Sequence, residues 1–519
     1  MEVCKTESGD EESGLLVPSD ERESQATFDD ALRQAGHGRL QVFLLLACGS
    51  ANAANAIVVS YIAYVIPSLT DQESFGLTGY QKGLLTGIAF AGLLIGDLFW
   101  GTMADATSRK HITILSLSLG IAFCFLTALA PSGEWMIAFR FFLGAGVGGS
   151  MAIIFAYLGD FLAEERRPPW IAALSLSWLV GALVAAGLAW LTIPNDHYKA
   201  FGSDVASWRI YIVICSFVAF AFSVPVWFIP RSPRLLFERG QIDETKRILS
   251  LVKRVNTHGF MELFAKHSDD IDLDVQATAV KSASPSNFAA KLRHFGDTFL
   301  LMGKQLRELF RPPWLRSSLV LNIVSFTFTF GYYGFTMWMP EYFYLIKKRN
   351  EPSCTIPGAN CSNASTILDN IYFQAFVSRT ATVPAQIFSI WIIAKIGSKM
   401  LLVISLFLTA AFVITFTLMS TKAYGPLLTS CLIGSVSNGG WSAIDVLSVE
   451  LFPTLLRSSA VGMQEGVGRI GALAGNLTFG ALSGTHMIIP LFISAALLLV
   501  GAVVSFLGLR KNSAAEHED

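Results

Sequence analysis
The chain is poor in charge. Only 15% of its 519 residues are Asp, Glu, Lys or Arg, against 52% hydrophobic. That balance argues against a water-soluble enzyme and fits a membrane protein. The formal net charge is −1, so there is no basic excess for a nucleic-acid partner. Cysteine is also sparse: seven residues, too scattered for a disulfide scaffold. Cys48, Cys124, Cys215 and Cys431 fall inside apolar stretches and read as small packing residues. The sequence has no metal-ligand cluster, no nucleophile motif and no phosphate-binding loop, so neither a cofactor nor catalysis is expected. His37 and His258 read as solvated loop residues. An N-terminal apolar run is missing too. About forty polar residues come first, so no cleavable secretory signal is expected.

What the chain has instead is long apolar runs. Twelve are read, at 40–66, 83–104, 112–131, 135–159, 170–193 and 208–229, then at 314–345, 370–394, 400–420, 424–451, 458–481 and 486–509. Each can cross a bilayer core, which takes ~20 apolar residues as a helix. Hydrocarbon leaves the backbone no other partner than itself, so each run must be helical. The predicted fold class is an all-α membrane protein with twelve transmembrane helices in two six-helix bundles. Its parts are an acidic disordered tail (1–39), a first bundle (40–230), a polar loop with short amphipathic helices (231–312), a second bundle (313–509) and a tail (510–519). Two six-helix halves suit the movement of a solute between them.

Lys and Arg in short loops set the orientation. Arg109 and Lys110, Arg166 and Arg167, Lys395 and Lys399, Arg457, and Arg510 and Lys511 all fall on one side with the insert, which is expected to be cytoplasmic with both termini. Lys347-Lys348-Arg349 is the exception. The outward loop after span seven holds Cys354 and Cys361, either bridged or free, and two sequons starting at Asn360 and Asn363. Asn476 also heads a sequon but lies within span eleven, where no modification is expected. In the tail, Glu11-Glu12-Ser13-Gly14-Leu15-Leu16 has the form of an acidic dileucine signal for a sorting adaptor; the alternative is two leucines in a disordered tail. In the insert, Pro230-Arg231-Ser232-Pro233-Arg234 opens a short helix, then a turn at Gly240 and a second helix with Asp243 as N-cap, expected to hold the halves together.

Ionisable groups inside spans are costly and face a partner or a pathway. Arg140 in span four either takes a structural hydrogen-bonded or ionic role or snorkels from the outer end. The glycine run 144–149 beside it reads as a helix-packing face. Asp445 in span ten shares a helix face with Trp441, where it meets a cation, a proton or sugar hydroxyls, or else pairs with Arg469 of span eleven; Glu465 competes for that arginine. Trp178, Tyr332 and Tyr333 are candidates to stack on a planar or sugar-like solute, and Gly331 and Gly334 suggest a bendable helix there.

Gly101-Thr102-Met103-Ala104-Asp105-Ala106-Thr107-Ser108-Arg109-Lys110 resembles the G-x-x-x-D-x-x-G-R-K signature of the major facilitator superfamily, with Ser108 for the usual glycine. Ala394-Lys395-Ile396-Gly397-Ser398-Lys399, six spans later, keeps the Gly and Lys without the acid and supports an internal duplication. Four further stretches narrow the resemblance: Ala35 to Gln41, Arg231-Ser232-Pro233-Arg234, Tyr332 to Trp338, and Trp441 to Pro453 with Arg457 beyond. Over about residues 28–510 they resemble the synaptic vesicle glycoprotein 2 family, near the organic ion transporters. The resemblance implies a major facilitator fold and a central pocket that includes Trp178, Trp441 and Asp445, with Arg469 at the family's basic position. It implies ion-pair motifs at Asp105/Arg109 and at Glu450/Arg457 that stabilise a gate. Two departures stand out. The family's paired acids in span one align with Asn55 and Val58, which favours a facilitative mechanism or a different substrate and makes Asn55 a candidate binding residue. The outward loop lacks the large luminal domain of the vesicle glycoprotein.

The preferred reading is a carrier of a small organic solute by alternating access, located in intracellular vesicles or the plasma membrane. The rival is a non-transporting vesicle-type protein acting in trafficking or partner binding.

Overall fold
Each predicted apolar run forms a helix. The computed structural model describes residues 28–71, 76–163, 166–194, 197–200, 203–259, 303–350, 370–422, 424–452, 454–483 and 486–509. Leu15, Leu16, Cys354, Cys361, Asn360 and Asn363 lie outside the described residues, as do the side chains of Asp105 and Arg457.

Span one is broken into α1 (Arg39–Ser60) and α2 (Ile62–Asp71). There follow α3 (Gly79–Ala106), α4 (Arg109–Ala128), α5 (Gly133–Gly159), α6 (Arg167–Thr192) and α7 (Ser207–Ser223). A small antiparallel hairpin, β1 (His197–Ala200) and β2 (Ser203–Ala206), sits between α6 and α7. The insert supplies α8 (Pro233–Glu238) and α9 (Ile242–His258). The second half is α10 (Leu315–Asn350), α11 (Ile371–Ile396), α12 (Ser398–Leu418), α13 (Gly425–Glu450), α14 (Thr454–Ser483) and α15 (Ile489–Gly508). Local chemistry sets the ends. Thr78 and Gln81 form a capping box on α3, proline opens α6, α13 and α15, and Gly397 at φ 81° turns the chain between α11 and α12. Among the described residues, ten spans are long and apolar enough to cross a membrane. The helices α13 and α14 are as long, at 26 and 30 residues, but carry Asp445 and Glu450 and Arg457, Glu465 and Arg469.

The glycine run of α5 packs as expected from small residues in apolar surroundings. A Cβ on Gly144 would stand 2.1 Å from the Ala89 carbonyl oxygen of α3, and one on Gly148 2.4 Å from that of Leu93. Gly92 and Gly96 of α3 return the contact, each 2.1 Å from a carbonyl of α5.

The two halves meet mainly at the end away from the insert. There Ser68 and Tyr372 share a hydroxyl hydrogen bond of 3.0 Å, and Thr70 donates to Glu341 at 2.9 Å. Trp190 packs on Phe373 with ring centroids 4.9 Å apart. Backbones of α3 and α14 also close there: a Cβ on Gly79 would stand 2.4 Å from the Gly480 carbonyl oxygen.

At the insert end the described polar ties stay within a half or join it to the insert. Arg109 pairs with Asp160 at 2.6 Å, Ser232 donates to the same carboxylate, and Asn256 of α9 holds Gly36 and Leu40. In the second half Ser398 donates to Glu450 at 2.7 Å and Ser459 to Gln305 at 2.6 Å. The helices α8 and α9 therefore dock on the first half, where the sequence suggested a strap across both. Gly240 does turn the chain at φ 72°, but the N-cap of α9 is Gln241, and Asp243 lies in its first turn.

Candidate functional site
Trp441 of α13 stands in an aromatic cluster with three residues of α10. Its ring lies 5.0 Å from Phe328, 5.6 Å from Tyr332 and 5.9 Å from Tyr333, centroid to centroid. Tyr333 reaches across the molecule to Phe90 of α3 at 4.6 Å, so both halves contribute. Such edge and tilted contacts are the favoured packing of aromatic pairs. Gly331 and Gly334 serve packing here. Added Cβ atoms would stand 2.9 Å from Leu498 and 2.7 Å from Phe479, so they admit neighbours where a bend was expected.

Asp445 lies one turn past Trp441 on the same face of α13 and is exposed. It does not pair with Arg469. Glu465 of α14 is the charged group that acts on it, by repulsion. Arg469 is taken by two other carboxylates, Glu465 at 3.4 Å and Asp97 of α3 at 3.8 Å, and its Nη2 lies 3.6 Å from the Met151 sulfur of α5. Tyr333 lies close enough to interact with it. The charges in this patch are thus three carboxylates against one guanidinium, with the bridge to Asp97 joining the halves.

Arg140 does not snorkel. It is fully buried, donating to the carbonyls of Val58 at 3.1 Å, Val59 at 3.3 Å and Leu85 at 3.4 Å, with its guanidinium 5.1 Å from the Tyr61 ring centroid. Val58 and Val59 are among the last carbonyls of α1, where the helical ladder stops at Tyr61. Arg140 therefore caps the break in span one from a neighbouring helix. Asn55 is fully buried between α1 and α5, accepting from Ser150 at 2.8 Å with its Nδ2 unpartnered. In this conformation it faces the packing between helices. Trp178 is half-buried on α6 and, among the described residues, makes no ring contact with the Trp441 cluster.

Four contributors were missed in the sequence. Asp97 and Arg379 are ionisable groups inside spans two and eight, the same signal that singled out Asp445. Phe90 had no signal beyond apolarity. Asp160, at the insert end of α5, is the partner of Arg109; burial pushes its carboxyl up from the ordinary range, opposed by Arg109 and Ser232.

The family model of the Major Facilitator Superfamily matches residues 48–355. Synaptic vesicle glycoprotein 2A of Rattus norvegicus is 25% identical over 93% of this chain and 79% of its own length. Synaptic vesicle glycoprotein 2B of Mus musculus is 24% identical over 94% and 86%. Among solved structures, the xylose transporter XylE from E. coli in a partially occluded inward open conformation superposes with a TM-score of 0.67 at 13% identity, covering 91% of this chain and 98% of that one.

Proposed function
Because the chain belongs to the Major Facilitator Superfamily, and is similar to its synaptic vesicle glycoprotein 2 members, we propose that it carries a small organic solute, sugar-like or ionic, across a membrane by alternating access. The family and fold are those of carriers. One observation supports the reading above others: the halves are tied at the end away from the insert, while Asp445, one turn below the aromatic cluster, is exposed. A solute would enter from the insert end, meet Asp445, and dock against Trp441, Tyr332 and Tyr333. Rocking the halves would open the other end, and the solute shifts that balance only by binding the two states unequally. Lys and Arg placement supports a cytoplasmic insert end and cytoplasmic termini. Leu15 and Leu16 would then serve as the signal for a sorting adaptor, in vesicles or at the plasma membrane. Asp105 with Arg109 and Glu450 with Arg457 would steady the insert-end gate when it closes. XylE is a sugar carrier, which keeps sugars among the candidates.

Uptake of radiolabelled solutes into proteoliposomes tests the reading. Saturable uptake abolished by Trp441→Ala is expected. No saturable flux for sugars, organic cations or organic anions would leave the second reading, a vesicle component without transport. The similarity to synaptic vesicle glycoproteins and the buried Asn55 in place of an acid in span one favour that alternative.

A further inference from the structure
Arg379 of α11 is a cation inside the bundle with no carboxylate against it among the described residues. Its guanidinium lies near Tyr64 of α2 and Tyr332 of α10, and Nη2 donates to the Thr336 carbonyl at 3.5 Å. Its Nε is buried without a partner. Phenols and a carbonyl accept hydrogen bonds but do not cancel charge, and arginine cannot shed its proton to escape the cost. The contrast with Arg469 is direct: that guanidinium has Asp97 and Glu465 beside it. Of the neighbouring tyrosines, Tyr332 stands by Arg379 and Tyr333 by Arg469.

From this we propose that Arg379 is the anchor for an anionic group on the solute, a carboxylate in the first instance. The fork of a guanidinium matches two carboxylate oxygens, and here Nε has no partner while Nη2 donates to the Thr336 carbonyl at a long 3.5 Å, a contact that a carboxylate would displace. Tyr332 places its ring against Trp441 and stands by Arg379, so the anion would sit next to a surface for stacking. The class that fits both is a planar or aromatic carboxylate. Tyr64 comes from the first half and Arg379 from the second, so an anion bound here touches both bundles. This inference rests on the carrier reading for the ligand being cargo.

The test is binding to the full-length protein in lipid nanodiscs, read as a saturable rise in melting temperature. The probes are benzoate and nicotinate, each set against its neutral isostere, benzamide and nicotinamide. The carboxylates are expected to bind and the amides not. Arg379→Lys should weaken carboxylate binding by about tenfold, since a point charge replaces the fork, and Arg379→Gln should abolish it. If Arg379→Gln does not fold, Arg379→Lys decides. Equal binding of acid and amide, no binding of either carboxylate, or carboxylate binding unchanged in Arg379→Lys would overturn the proposal. Carboxylate binding without proteoliposome uptake would instead defeat the carrier reading and leave the anion site standing.

Discussion

Arg469 of α14 bridges to Asp97 of α3 at 3.8 Å, an ion pair between the two halves at the level of the aromatic cluster. A carrier of this shape has to pass from one closed end to the other, and ties between halves set the balance. At 3.8 Å, with 25% of the Asp97 side chain accessible, this bridge is a loose one, and its strength is limited.

Arg469→Gln is expected to be worse than Asp97→Asn. Removing the acid leaves Arg469 with Glu465. Removing the arginine leaves Asp97, Glu465 and Asp445 with no counter-charge in the patch. In a double-mutant cycle on uptake rates the two should couple by about 1 kcal/mol. Additive losses would show that the bridge does not act during the cycle.

Arg140 should behave as a structural cap. Its three carbonyl partners lie on the two helices flanking α5, and hydrogen bonds to a buried charge contribute about 1.5–3 kcal/mol each when intact. Arg140→Ala is expected to cost about 3 kcal/mol, seen as a lower melting temperature and a smaller monodisperse fraction on size exclusion. Arg140→Lys should fall between, because one ammonium cannot span the same carbonyls.

How much of this was legible follows from how far each signal reaches along the chain. Span positions, the glycine face of α5 and the shared face of Trp441 and Asp445 depend on neighbours within a few turns, and the sequence carries them. Which carboxylate Arg469 takes depends on how α3 and α14 lie together, and Asp97 is hundreds of residues away. The break at Tyr61 hides inside an unbroken apolar run, so the carbonyls that engage Arg140 gave no warning. Asp97 and Arg379 are legible by the rule that picks out Asp445, since each is a charge inside an apolar run.

Glycine substitutions separate packing from mere helicity. Gly144→Ala puts a methyl 2.1 Å from a backbone carbonyl that cannot step aside, and about 1–3 kcal/mol of overpacking is expected. Gly159, at the end of the same helix, has nothing within 4 Å of its added Cβ. There alanine should be neutral or stabilising by up to ~1 kcal/mol, from better helix propensity. Melting temperatures of the two variants in one detergent check the contrast, and equal losses would contradict the close approach of α3 and α5.

Asp445 and Trp441 should part company in stability while agreeing in function. Asp445 is exposed, pairs with no cation among the described residues, and is repelled by Glu465. Asp445→Asn removes that repulsion at no packing cost, so the melting temperature should hold or rise. Uptake should still fall at least about tenfold if the carboxylate meets the solute, a difference of ~1.4 kcal/mol in barrier. Trp441 is half-buried against three rings of α10, so Trp441→Ala should lose about 2 kcal/mol of stability as well as uptake. Trp441→Phe keeps most of the ring contacts and isolates the binding role: near-normal stability with weakened uptake is expected. An Asp445→Asn protein that unfolds would mean the carboxylate holds the bundle together, and one that transports normally would mean that the solute takes another route.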